Sequence, residues 1–195
     1  MPFVFGYGSL VDRASVQASI GRVLDPTDGP HAARLTGCRR AWNVAAHSSR
    51  RPDYTFAEAD GTPWKGWVAF LGIEPAPAAN TLGAVCRLTE DELVLLDFRE
   101  RSYDRIDISG QLDLEMPHAD GPVYVYLPRP EAVDDAGRAG TAGTVPARYL
   151  RLVDRGYRAL GEDLYDEHLS TFPDPAPFVV EEIVVTRPAA AVETM

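Results

Sequence analysis

Short runs of aromatic and β-branched residues recur along this chain, separated by segments rich in glycine, proline and polar residues. Such runs are typical of buried β-strands, because these side chains pack well on a pleated surface. A proline cluster that begins at Pro75 predicts a turn or short linker after one of the runs. The pattern predicts strands over residues 3–6, 34–46, 64–75, 82–88, 122–129 and 178–188.

Two segments have helical periodicity. The better marked one opens at Thr89, with Glu92 three residues later, and this spacing predicts a capping box in which each side chain binds the other residue's free backbone donor. The other segment is 147–172, where the periodicity predicts two helices separated near Gly161. The polar, Gly- and Ala-rich segment 131–147 predicts a mobile loop, which is either a lid or an idle connection.

The order of these elements predicts an α+β fold. Several non-adjacent strands, a few helices and no regular βαβ alternation indicate a small mixed β-barrel flanked by helices. A length of 195 residues suits one domain with a substantial core. We expect that domain to span residues 1–188, followed by a frayed tail over residues 189–195.

The chain is acidic, with a formal net charge of −10. Nucleic acids and anionic membranes are bound through basic surfaces, so this charge argues against both as partners. No apolar run approaches the ~18 residues of a membrane span, and no signal-sequence pattern opens the chain. The expected location is therefore the cytoplasm, and the oligomeric state stays open.

The cysteines and histidines carry no metal-binding pattern. Cys38 and Cys86 stand apart from each other and form no CxxC pair, which predicts reduced thiols. The four histidines show neither HxxxH nor HExxH spacing. We therefore expect no metal site.

The helix after Thr89 raises the question of where Glu100 points. Leu93, Leu96 and Glu100 share one helical stripe, which Tyr103 extends, so leucines that pack inward would direct the carboxylate inward too. A buried carboxylate is costly unless it is paired, hydrogen-bonded or neutral. The alternative is that the helix frays by residue 99, or that Arg99 or Arg105 pairs with Glu100 in a surface ion pair.

The stretch FGYGSL, residues 5–10, places a glycine-flanked turn directly after the first predicted strand. The turn is either a tight connection or a concave binding site for a carbonyl or anion. In the second case the backbone N–H groups of Tyr7, Gly8, Ser9 and Leu10 would face the ligand. The segment is neither a Walker loop nor a complete dinucleotide fingerprint.

Together, FGYGSL and LLDFRERSY (residues 95–103) resemble motifs of the γ-glutamylcyclotransferase superfamily, which includes ChaC-like and AIG2-like proteins. The family's opening YGSL motif is intact here, and its catalytic glutamate corresponds to Glu100. LTGCRR (residues 35–40) resembles the ChaC-like strand that carries an arginine pair. The resemblance covers residues 3–10 and 83–105 well and is thin beyond residue 130.

The resemblance implies a cofactor-independent enzyme of the cyclotransferase or amidine-lyase class that acts on a small γ-glutamyl substrate. The substrate's α-amine attacks its own γ-carbonyl, which closes the ring of 5-oxoproline and releases an amine. It further implies that Glu100 is the general acid and base and that the segment Tyr7-Gly8-Ser9-Leu10 holds the γ-glutamyl part. Tyr103 either forms a hydrogen bond in the cavity or only packs there.

Two other functions stay open at this stage. One is a non-catalytic, small-ligand-binding protein of the same fold, although such a protein has no need for an inward-facing acid. The other is an acyl or amide hydrolase with Ser9 as its nucleophile, although no histidine lies in a recognisable partner motif. Arg39 and Arg40 are candidates for binding a substrate carboxylate, with a surface role expected for at least one of them. The sequence does not identify the leaving amine.

Overall fold

The computed structural model describes residues 1–50, 55–113 and 121–186. The predicted tail over residues 189–195 lies outside these ranges. The helices are α1 Arg13–Ile20, α2 Glu90–Arg99, α3 Pro130–Ala139, α4 Ala147–Arg158 and α5 Glu162–Thr171. The strands are β1 Phe3–Gly6, β2 His31–His47, β3 Thr55–Ala57, β4 Trp67–Arg87, β5 Tyr103–Asp107, β6 Leu112–Asp113, β7 Val123–Pro128, β8 Gly143–Pro146, β9 Val179–Glu181 and β10 Val184–Thr186.

Eight of these strands form one mixed sheet. Its main path runs β5-β7-β1-β4-β2-β6, with β8 joined to the other end of β4 and β9 joined to β8. Strand β1 is central, antiparallel to β4 and parallel to β7. The pairs recorded for the described residues form an open path. The predicted α+β fold, a mixed sheet flanked by helices, is confirmed.

Strands β2 and β4 pair along almost their whole length. The sequence predicts that the proline cluster ends a strand. The structure shows instead that the cluster lies inside β4. The register shifts between Thr36 and Cys38, where four residues of β4 (76–79) lie opposite Gly37 alone. This bulge accommodates prolines that cannot donate to a regular ladder. Gly37 has a φ of 80°, which suits glycine at such a position.

Helix α2 follows from its local sequence. Thr89 is the N-cap, its hydroxyl accepts from the Glu92 N–H at 3.2 Å, and the Glu92 carboxylate accepts from the Thr89 N–H at 2.9 Å. The predicted capping box is confirmed. Leu93 and Leu96 are fully buried on the inner face, and the helix ends at Arg99.

The prediction of a mobile loop over residues 131–147 is wrong, because this segment forms α3 and β8. Helix α3 packs against β2 through small side chains at positions 132, 136 and 139, all alanine and all buried. Alanine favours helix and lets a helix approach a sheet closely. The composition of segment 131–147 resembles that of a loop only because the buried face of α3 is made of alanine, the smallest apolar side chain.

The last part of the chain follows the predicted order. Helices α4 and α5 are separated at Gly161, which has a φ of 120°, as the sequence predicts. The single strand predicted over residues 178–188 is instead two short strands, β9 and β10, with Glu182 and Ile183 between them. Within the described residues, no helix is long and apolar enough to cross a membrane.

Replacement of Gly137 by alanine tests whether α3 is a helix in solution. A Cβ at Gly137 meets no atom within 4 Å, so the substitution should raise the free energy of unfolding by about 0.5–1 kcal/mol through helix propensity alone. Urea denaturation measures this. The matched control is Gly110→Ala, which is equally uncrowded but lies outside any helix. Equal effects at both positions would contradict the helix.

Candidate active site

The turn after β1 is shaped by close packing. A Cβ at Gly6 would lie 2.8 Å from the carbonyl carbon of Leu10, because the chain folds back on itself here. A Cβ at Gly8 would lie 2.6 Å from the hydroxyl oxygen of Tyr149. Ser9–Val11 then form a single 3-10 turn, whose first N–H groups have no acceptor inside the turn. Both glycines are therefore required by neighbouring atoms, and the N–H groups of Ser9 and Leu10, unlike that of Val11, have no backbone acceptor among the described residues.

The buried side chains of Tyr157 and Asp12 hold this turn in place. The Tyr157 hydroxyl lies 3.0 Å from the carbonyl oxygen of Tyr7 and 2.7 Å from that of Leu82, and donates between them. Asp12 caps α1 by accepting from the Ser15 N–H at 2.7 Å. Arg155 of α4 binds both oxygens of the same carboxylate at 2.7 Å. The turn is thus tied to β4 and to α4.

Tyr157 is held in turn by a buried histidine. The His168 ring stacks on the Tyr157 ring with centroids 3.8 Å apart. Its Nδ1 is 2.7 Å from Nη1 of Arg40, and it accepts because arginine only donates. Burial, with the nearby Arg40 charge, lowers the pKa of His168 to about 4. The ring is therefore neutral at pH 7.

The turn and the end of α2 line the same pocket. It encloses about 730 Å³, counting its solvent-open mouth. All six residues that the sequence predicts for the site line it: Tyr7, Gly8, Ser9, Leu10, Glu100 and Tyr103. Sequence reasoning missed the rest of the described lining: Phe5, Gly6, Ala46, Phe56, Phe70, Leu71, Arg99, Tyr126 and Tyr149.

Glu100 lies just beyond the last residue of α2, as its C-cap. Its side chain is 14% exposed, and its Oε1 lies 2.8 Å from Nε of Arg99, whose side chain is 6% exposed. Both readings of the sequence are therefore partly correct. The helix does end at residue 99 and Arg99 does pair with Glu100, but the pair lines the pocket instead of the outer surface. Arg105 pairs with Asp97 instead.

Arg99 is the functional candidate that the sequence interpretation placed only as a surface partner. Its guanidinium donates to the hydroxyls of Ser9 and Ser19, each at 2.6 Å, and to the Ser15 carbonyl at 3.2 Å. It thus joins the turn, α1 and Glu100. The signal available in the sequence was its position directly before Glu100, which did not show that both side chains turn inward.

Tyrosine hydroxyls surround the rest of the pocket. Tyr103 donates to the Leu71 carbonyl at 2.8 Å, so of its two predicted roles it forms the hydrogen bond. Tyr7 donates to the Tyr126 carbonyl at 2.7 Å, so its hydroxyl already has a buried partner. The Leu71 backbone also hydrogen-bonds the Tyr149 hydroxyl. Burial raises the pKa of Tyr149 well above its ordinary value, which keeps this group a proton donor.

Neither candidate arginine of the LTGCRR segment lines this pocket. Arg39 is exposed and pairs with Glu74, with Nη2 and Oε1 2.6 Å apart. Arg40 is buried, and beside His168 it also donates to the Thr171 hydroxyl at 2.7 Å. The expected surface role holds for Arg39, and Arg40 has a structural role between β2 and α5. Among the described residues, no group of three or more His, Cys, Asp or Glu side chains could hold a metal ion.

The contact between Gly8 and Tyr149 can be tested by a double-mutant cycle. Gly8→Ala should lower the free energy of unfolding by about 1–3 kcal/mol, as overpacking does. Tyr149→Phe removes the clashing oxygen, so the same glycine substitution in that background should cost much less. Urea denaturation of the four proteins gives the coupling. Gly6→Ala is the control, because its clash is with the Leu10 backbone and Tyr149→Phe should not relieve it. Similar relief in both cases would contradict the contact.

His168 should contribute to the loss of stability in acid. Its pKa is 6.5 when unfolded and about 4 when folded, so between these values the unfolded chain binds more protons. The free energy of unfolding therefore falls as pH drops through this range. We expect the wild type to lose up to about 3 kcal/mol more than His168→Gln between pH 7 and pH 4.

Urea denaturation at a series of pH values measures this difference. Glutamine at position 168 keeps an acceptor for Arg40 but does not titrate. His31→Gln, at a half-buried position near the start of β2, controls for the loss of any histidine. Parallel pH profiles for the wild type and His168→Gln would show that the buried ring has no such effect.

Comparison with known proteins finds similarity at the level of structure. No protein-family model matches the sequence, and no curated protein matches it. The structure of YkqA from Bacillus subtilis is similar over 88% of this chain, with 17% identity and a TM-score of 0.50. The chain spans 55% of the length of YkqA.

Two further solved structures are matched at lower TM-scores. One is a γ-glutamyl cyclotransferase with 15% identity and a TM-score of 0.46, and the match covers 92% of this chain and 93% of that one. The other is a yeast γ-glutamyl cyclotransferase specific to glutathione, with 14% identity and a TM-score of 0.40, covering 87% and 96%. At such identities the likeness concerns the fold alone. The chain therefore shares the fold of YkqA, while the resemblance to the γ-glutamylcyclotransferase superfamily rests on its two sequence motifs.

Proposed function

We propose that this protein is a γ-glutamyl cyclotransferase, which converts a γ-glutamyl amine, amino acid or peptide into 5-oxoproline and a free amine. One observation carries the proposal. The Glu100 carboxylate and the backbone of the turn after β1 line the same half-enclosed pocket. Ring closure needs a proton acceptor and a set of donors on opposite sides of one carbonyl group, and this pocket offers both.

Glu100 acts first as a base. The α-amine of a γ-glutamyl compound is mostly protonated at neutral pH and cannot attack in that form. A carboxylate beside it binds the ammonium group and accepts a proton. The Arg99 guanidinium pairs with this carboxylate, with Nε 2.8 Å from Oε1, and so limits the directions in which the carboxylate can point. The attack is intramolecular, so a folded substrate provides much of the required orientation.

The turn then stabilises the negative charge that develops on the γ-carbonyl oxygen. The N–H groups of Ser9 and Leu10, which have no backbone acceptor among the described residues, can donate to it. The Tyr149 hydroxyl lies against Gly8 and adds a neutral donor on the same side. No covalent bond to the enzyme is needed, because the nucleophile belongs to the substrate.

Glu100 finally acts as an acid. Collapse of the tetrahedral intermediate breaks the bond to the leaving nitrogen, which departs readily only when it receives a proton. The α-nitrogen loses its protons as the lactam forms, and the departing amine takes them up. The carboxyl group therefore returns to its starting state. One residue serves both steps because the two nitrogen atoms are bonded to the same carbon in the intermediate.

The contacts of Ser9 do not favour the alternative of a serine hydrolase. A nucleophilic serine needs a base that accepts its proton. The partner recorded for Ser9 is the Arg99 guanidinium, which can only donate, and the described lining of the pocket contains no histidine. The alternative of a non-catalytic binding protein leaves the Arg99–Glu100 pair inside the pocket without a purpose.

Glu100→Gln tests the proposal. The amide neither accepts nor supplies a proton at neutral pH, so 5-oxoproline release should fall by about 10²-fold or more. Mass spectrometry of 5-oxoproline after incubation with a panel of γ-glutamyl compounds measures it. Glutamine keeps an oxygen for Arg99, so the circular dichroism spectrum should not change.

Two further variants provide the controls. Glu90→Gln makes the same chemical change at an exposed position of α2 and should leave turnover intact. Ser9→Ala should retain substantial turnover, because Ser9 positions the turn and does not attack. Full activity of Glu100→Gln, or covalent labelling of Ser9 by substrate, would overturn the proposal. Silence of the wild type across the panel would favour the binding protein.

A further inference from the structure

A second hollow adjoins the proposed active site. It encloses about 950 Å³ and is more open, and it shares Phe70 and Tyr149 with the first pocket as a common wall. Its lining also includes three further residues of α4 and the residue before that helix: Arg148, Leu152, Arg155 and Pro146. A ligand too long for the first pocket would meet this second hollow beyond Phe70 and Tyr149.

The second hollow has an unusual charge for this protein. The chain carries a net charge of −10, yet two arginines and no acidic residue are found among the described residues that line the hollow. Arg155 is neutralised by its two contacts with Asp12. Arg148 is exposed and has no hydrogen bond or ion pair with any residue in 1–50, 55–113 or 121–186. One uncompensated positive charge therefore faces the hollow.

The proposed reaction, on which this inference rests, limits which part of the substrate can reach Arg148. The α-amine and the γ-carbonyl must both lie beside Glu100, so the γ-glutamyl part fills the first pocket. Only the leaving group extends beyond it. Differences between substrates lie in that group, so the residues that contact it determine specificity.

We propose that Arg148 is a specificity-determining residue that binds a carboxylate on the leaving group. The preferred substrates are then γ-glutamyl amino acids or peptides with a free carboxylate, and γ-glutamyl amines are poor substrates. An arginine matches a carboxylate by forming two parallel hydrogen bonds. The apolar surfaces of Phe70 and Leu152 suit an aliphatic side chain on the same leaving group.

A matched pair of compounds isolates the carboxylate. γ-Glutamyl-leucine and γ-glutamyl-leucinamide have nearly the same size and differ in one negative charge. We expect the wild type to have a KM about tenfold lower for the acid, as a charge-assisted hydrogen bond provides. Arg148→Gln should remove this preference by raising KM for the acid alone, while kcat for both compounds stays nearly unchanged. Arg148→Lys should restore part of it.

The control is Arg158→Gln, which removes another exposed arginine of α4 that pairs with Asp154 and does not line the hollow. It should leave the preference intact. A merely structural role for Arg148 would change both compounds equally. Such an equal change, or a wild type that does not distinguish acid from amide, would overturn the proposal.

Affinity measurements separate this proposal from the proposed reaction. Calorimetric titration of the acid and the amide into Glu100→Gln, with and without Arg148→Gln, reports binding when no turnover occurs. Absence of 5-oxoproline from the wild type would refute the reaction. An acid-to-amide affinity ratio that Arg148→Gln lowers by about tenfold would still support the anionic subsite. Absence of that change would refute the subsite whatever the turnover.

Discussion

The ion pair between Arg99 and Glu100 is the contact on which the candidate site depends. Both side chains are largely buried, and a buried charge is tolerated only when opposite charge and hydrogen-bonding groups surround it. Arg99 satisfies this requirement by reaching Ser9 and Ser19 as well as Glu100. The same contacts connect the end of α2 to the turn after β1. The residue that pairs with the carboxylate therefore also holds it in place relative to the turn.

The rest of the fold supplies a rigid base for this pair. Strand β1 lies inside the sheet and pairs on both sides, so the turn at its end is fixed by two ladders. The hydroxyl of Tyr157 ties the same turn to β4, and the stacked ring of His168 fixes that tyrosine. The pocket is thus assembled from segments far apart in the chain, each held by a buried polar contact.

The sequence predicts those parts of the structure that local chemistry determines. The capping box at Thr89, the break at Gly161 and the turn after β1 each depend on a few neighbouring residues, and all three are found where expected. Membership of Glu100 in the pocket followed from the leucine stripe together with the family motif. The site residues that the sequence identified are those that lie in or beside these local patterns.

The features that could not be predicted from the sequence depend on packing between segments that are distant in the chain. Segment 131–147 is helical and extended because its alanines meet β2, and the composition of a segment does not show what it will pack against. The proline cluster stays within β4 because a bulge in the pairing with β2 accommodates it. Tyr149 comes from a helix some 140 residues after the turn that it contacts, so no local pattern could link the two.

The part of the pocket lining that contains Phe56 differs from the rest in how it is connected to the eight-stranded sheet. Phe56 belongs to β3, which pairs with β10 in a separate two-stranded ribbon and, among the described residues, forms one further bridge, between Ala57 and Pro63. The turn and Tyr103 belong to, or directly follow, strands of the larger sheet. Within residues 1–50, 55–113 and 121–186 the ribbon shares no backbone ladder with that sheet, whereas β1 pairs with β4 and β7. The Phe56 side of the pocket is therefore held to the larger sheet by side-chain packing, through the contact of Phe56 with Val68 of β4, whereas the side of the turn is held by backbone ladders.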